Sequence, residues 1–146
     1  MSRGHTLPEL LAVVAVAATI AGVAVPGVAW VVGGAAAGAD ARCFALALRR
    51  TQAAAASSGR VVSVRLVDQG FGYECDEATA GGSAELDHGW FHGRCSTNYP
   101  GGVVQFATWG WPCETTGQPR AGSFSFTGAG TSATVVLQLG GRVRWQ

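Results

Sequence analysis

The chain contains no lysine; all ten of its basic residues are arginine. With alanine and glycine also abundant, this is read first as the coding bias of a GC-rich genome and only second as selection for guanidinium chemistry. Charge of either sign is missing from Leu10 to Ala39, so the apolar character of the chain belongs to one segment and the rest must be read as a separate body. Also missing are a Gly-x-Ser-x-Gly elbow, a His-Glu-x-x-His pair and a phosphate loop. No Cys-x-x-Cys occurs, and the four cysteines stand 32, 20 and 18 residues apart, which argues against zinc. No catalytic residue, cofactor or metal site is therefore expected. His88 and His92, four apart without carboxylate geometry, read as surface residues.

What is present begins with an apolar run from Leu10 through Val32. That meets the ~20 residues needed to cross a bilayer core of ~30 Å. A cleaved secretory signal competes, because Ala35-Ala36-Ala37 and Ala39-Asp40-Ala41 resemble small-residue cleavage sites. Against it, the run exceeds the h-region of a signal peptide, and Glu9 sits at its entrance where only basic residues belong.

Gly4-His5-Thr6-Leu7-Pro8-Glu9-Leu10-Leu11 resembles the class III signal of type IV pilins and pseudopilins. The resemblance implies that a prepilin peptidase cuts between Gly4 and His5, removing a leader of residues 1–4, and methylates the new amino terminus. Glu9 becomes the fifth residue of the mature chain, where this family keeps a Glu, and Pro26 falls where many family helices bend. His5 replaces the usual Phe, and Pro8 a more usual aliphatic residue. A carboxylate at the edge of an apolar helix is costly in lipid unless paired. Its implied partner in a filament is the amine of His5 on a neighbouring subunit; the plainer alternative is a carboxylate in the headgroup layer, favoured by the helix dipole.

After a glycine-rich break at Gly33-Gly34 and Gly38, a helical pattern resumes over residues 39–56, with Phe44, Leu46 and Leu48 among many alanines, and Ser57-Ser58-Gly59 ends it. The period then changes to two. Val62, Val64 and Leu66 alternate with Ser63, Arg65 and Val67; residues 89–95, 102–109, 134–139 and 142–145 read as further strands, with Phe124 and Phe126 in another. Residues 128–133 read as a hairpin turn. Trp90, Trp109, Trp111 and Trp145 read as core or rim aromatics. The expected fold is α+β: a long N-terminal pilin helix, membrane-spanning in its first half (5–33) and amphipathic in its second (34–58), packed against a C-terminal antiparallel β-sheet head (59–146). The GspH/FimT branch of the pseudopilins has this layout.

Cys43, Cys75, Cys95 and Cys113 all follow the apolar segment, and an even count outside the cytoplasm favours disulfides, with three connectivities open. The formal charge of +1 hides a segregation: six acids and no arginine from Asp68 to Asp87, then Arg120, Arg142 and Arg144 with no acid after Glu114. The acidic stretch reads as solvated loops. In a C-terminal strand Arg142 and Arg144 share one face, ~6.6 Å apart, while Val143 and Trp145 turn to the core. Gly141-Arg142-Val143-Arg144 is similar to the Gly-Arg-x-Arg ending of FimT-like minor pilins, which implies a DNA-backbone contact by Gly141, Arg142 and Arg144, with Arg120 as a further candidate. The expected function is that of a structural, non-enzymatic subunit of a type IV pilus or type II secretion filament. The alternatives are DNA binding during uptake, protein export without DNA, and, remotely, an unrelated anchored binding module. Expected partners are other pilins or pseudopilins, the prepilin peptidase, the inner membrane with the head on its periplasmic side, and, in the DNA reading, double-stranded DNA.

Overall fold

The computed structural model describes residues 7–128 and 130–146, the side chains of 23–27, 29 and 30 excepted. The expected cleavage point at Gly4 and His5 lies outside the described residues. One helix, α1 (Leu7–Ser58, 52 residues), opens the fold. The expected break at Gly33, Gly34 and Gly38 does not occur, and the helix runs through all three; a Cβ on Gly34 would lie 3.3 Å from Thr131 Cγ2, whereas one on Gly38 would meet nothing within 4 Å. The helix ends as expected. Gly59, at φ +66°, donates to the Ala55 carbonyl at 3.0 Å, a left-handed cap that glycine adopts at little cost.

The two halves of α1 bury differently. Leu7–Gly22 is apolar and exposed all along its length, whereas Val31–Ser58, also apolar enough to span a membrane, has 39% of its most apolar window buried within the fold. From Ala37 onward the buried apolar positions are Ala37, Ala41, Phe44, Ala45, Ala47, Leu48 and Ala55. Small alanines let sheets approach the helix, and Phe44 is the one large ring among the described side chains of α1 that reaches into them.

The strands are β1 (Val62–Val67), β2 (Gly72–Thr79), β3 (Gly82–Trp90), β4 (Arg94–Thr97), β5 (Val103–Phe106), β6 (Pro112–Cys113), β7 (Gly122–Gly128), β8 (Thr131–Leu137) and β9 (Val143–Trp145). They form two antiparallel sheets, ordered β3-β2-β1-β5-β6 and β4-β7-β8-β9. Alternation puts Val62, Val64, Tyr73, Cys75, Val104 and Phe106 on the inner face of the first, and Cys95, Phe124, Phe126, Val135, Leu137 and Val143 on that of the second. Phe44 joins them, with ring centroids 5.2 Å from Tyr73, 5.6 Å from Phe91, 4.8 Å from Phe124 and 5.6 Å from Phe126. Edge-to-face rings of this kind add specificity to area burial.

The helix-then-sheet order is as expected, and the turn at 128–133 is the β7–β8 hairpin. Two segments differ. The acidic stretch is not loop but mostly the β2–β3 hairpin, whose acids tolerate strand geometry because Glu74, Asp76 and Glu85 stand on the face away from the core. Residues 89–95 are not one strand. Phe91 turns into the core and carries the chain from the first sheet to the second.

Candidate assembly surfaces and the C-terminal arginines

Glu9 lies in the first turn of α1, on the exposed apolar half. There the unpaired backbone N–H groups of a helix start favour a carboxylate. The fold thus holds Glu9 far from the head core.

Where the helix enters the head, Asp40 is 4% exposed. Its Oδ2 accepts from the backbone N–H groups of His92 at 2.8 Å and Gly93 at 3.2 Å, and its Oδ1 lies 2.8 Å from His92 Nδ1. A buried carboxylate is tolerated only when its lone pairs are met, and here they fasten the β3–β4 crossing to the helix. His92 is exposed, as expected, with its backbone N–H and ring Nδ1 both turned to Asp40. Sequence reasoning missed Asp40; the available signal was a lone acid within an alanine-rich helical face. His88 Nδ1 lies 2.6 Å from Glu85 Oε1, in the open.

The expected disulfides are not shown in the structure, where Cys43 is an exposed thiol and Cys75, Cys95 and Cys113 are buried ones. Thr51 Oγ1 lies 3.4 Å from Cys75 Sγ. Cys75 on β2 and Cys113 on β6 are separated by β1 and β5, about 14 Å at strand spacing, too far for a disulfide. The buried thiols act as small apolar fillers. Burial pushes Cys75 up to about 11 and Cys95 up to about 12, and raises Cys113 as well.

At the C-terminus, Val143 is buried against the core while Arg142 and Arg144 are exposed. Trp145 does not reach the core as expected. It is 47% exposed because β9 is a sheet edge, and the Arg42 guanidinium covers its ring at 4.4 Å. Arg49 Nη2 donates to the Val143 carbonyl at 3.1 Å. Gly141 holds the turn before β9: it has φ +79°, and a Cβ would meet Gly110 O at 3.0 Å and run into the Gln52 side-chain amide. Arg120 does not join this group. Its guanidinium is bonded to the Glu114 carboxylate and, at 3.0 Å, to the Asn98 carbonyl after β4, across the sheet from β9. Trp90, Trp109 and Trp111 also stand out of the core, Trp109 at 82% exposure.

No protein-family model and no curated protein matches the chain in sequence. Solved structures do match in shape. The type IV minor pilin FimU of Pseudomonas aeruginosa aligns with a TM-score of 0.61 at 18% identity, over 74% of this chain and 86% of that one. Two structures of the minor pseudopilin EpsH from the type II secretion system of Vibrio cholerae align with TM-scores of 0.61 and 0.62 at 17% and 15% identity, over 76–77% of this chain and 96–97% of those. The chain has the α+β fold of minor pilins and pseudopilins: a long apolar N-terminal helix on antiparallel sheets.

Proposed function

We propose that the chain is a structural subunit of a type IV pilus or type II secretion filament. The observation that carries this is the division of one 52-residue helix into a bare apolar half and a half buried under a two-sheet head, in a fold shared with minor pilins and a minor pseudopilin. A bare apolar helix needs lipid before assembly and other helices after it. In this reading residues 1–4 are the leader, 5–33 the membrane and filament-core segment, 34–58 the helix under the head and 59–146 the head on the periplasmic side. The prepilin peptidase, the inner membrane and other pilins are its partners, and Glu9 pairs with the amine of a neighbour's His5 as the subunit leaves the bilayer.

The test is Glu9→Ala in the full chain. The variant should insert and accumulate normally yet be lost from the sheared or membrane-extracted filament fraction. Normal incorporation would remove the pairing role. A DNA contact by Arg142 and Arg144 is a second reading, favoured only by their exposure on neighbouring alternate positions. Two arginines give a log–log salt slope on the order of −2 for duplex DNA, and loss of low-salt retention in Arg142→Gln/Arg144→Gln is its test.

A further inference from the structure

The two sheets leave one strip of α1 uncovered, and the strands beside its two borders differ in charge. Successive residues turn ~100° about a helix axis, which sets Leu46 and Ala53 in the middle of the strip, Arg42 and Arg49 at one border, and Arg50 and Ala54 at the other. The first border meets β9, through Arg42 on Trp145 and Arg49 on Val143. Residues 131–146 add Arg142 and Arg144 and contain no acid. The second border faces β3 across a cavity of about 320 Å³ lined by Arg50, Thr51, Ala54, Leu86 and Asp87.

The β2–β3 hairpin carries Glu74, Asp76, Glu77, Glu85 and Asp87 and no arginine. Arg65 pairs with Glu74 and Asp76, and Arg60 with Glu77. Glu85 and Asp87, both on β3, have no arginine within ion-pair range among the described residues. Both β3 and β9 are outermost strands with a free edge.

Resting on the filament reading above, we infer that the acidic β3 edge of one copy docks against the arginine-bearing β9 edge of a second copy, over the exposed strip of helix between them. One chain carries both halves of the complementary pair on different borders. The contact is therefore heterologous: each subunit offers β3 to one neighbour and β9 to the other, which propagates a filament instead of closing a dimer. Nucleic acid fits this border less well, since a polyanion laid on β9 would lie one helix width, ~10 Å, from the β3 carboxylates.

The experiment uses the full chain in membranes, with a benzoylphenylalanine photo-crosslinker at Leu46. The wild-type background should give a self-adduct. Arg142→Glu/Arg144→Glu, or Glu85→Arg/Asp87→Arg, should each lower it about tenfold, the size a few exposed ion pairs can supply. A chain carrying all four reversals, and a mixture of the two double variants, should return it to within about twofold. The inference is overturned if the adduct is absent from wild type, is equal in all variants, or stays lost in the fully reversed chain despite unchanged circular dichroism. It falls equally if the arginine reversal abolishes retention of duplex DNA and leaves the adduct untouched. Incorporation of the wild type into the filament fraction is measured alongside. Failure there removes the filament reading itself, whereas normal incorporation with charge-independent adducts removes only this docking.

Discussion

Asp40 and His92, 52 residues apart in sequence, meet through the Asp40 carboxylate, which takes the His92 backbone N–H at 2.8 Å on one oxygen and lies 2.8 Å from the ring Nδ1 on the other. This pair, with Gly93, holds the point where the chain passes from the first sheet to the second. Asp40→Ala leaves two backbone N–H groups unsatisfied and should destabilise the fold by about 2–4 kcal/mol. Urea unfolding of the detergent-solubilised chain measures it; a loss below about 0.5 kcal/mol, the size of an ordinary surface change, would show that the clamp does not hold the head.

Little of that clamp was legible in sequence. Asp40 there is one acid among alanines, and its partners come from a crossing whose aromatic residues imitate a strand. By contrast, the helix and most of the later strands were legible because their periods, 3.6 and 2, are imposed locally by which face is buried. The β2–β3 hairpin was hidden for the opposite reason: with Glu74, Asp76 and Glu85 facing out and β3 at an edge, its pattern resembles that of a loop. At the C-terminus, alternation alone put Val143 inside. It also put Trp145 inside, because nothing in the sequence says that β9 is an edge strand with Arg42 above it.

The thiols should differ sharply in reactivity. Maleimide applied to the native protein near pH 8 should label Cys43, and Cys75, Cys95 and Cys113 only after unfolding. A count of four thiols in the denatured, unreduced protein is expected; two or none would show that disulfides form.

Alkaline pH should weaken the fold. Cys75 and Cys95, with ordinary values near 9, stand at about 11 and about 12 in the folded state, and Tyr73 and Tyr99, with ordinary values near 10, at about 12, in each case chiefly through burial. Above pH 9 the unfolded chain loses these protons while the folded chain keeps them, so stability is fully present below that point and is lost as pH rises through 11–12. A urea midpoint that stays level from pH 8 to 11 would contradict this.

Gly141→Ala puts a methyl group into the Gly110 carbonyl and the Gln52 amide at a left-handed backbone position. A loss of about 1–3 kcal/mol is expected, read as a lower thermal midpoint in full-length protein. An unchanged midpoint would mean that the β8–β9 turn is not held against the helix.

The filament-subunit account meets its most direct test in the intact mass of the protein extracted from membranes. A chain that begins at His5, with or without one added methyl group, and that is also found in the filament fraction is what the account requires. A mature terminus near Asp40, the mark of an ordinary signal peptide, would contradict it.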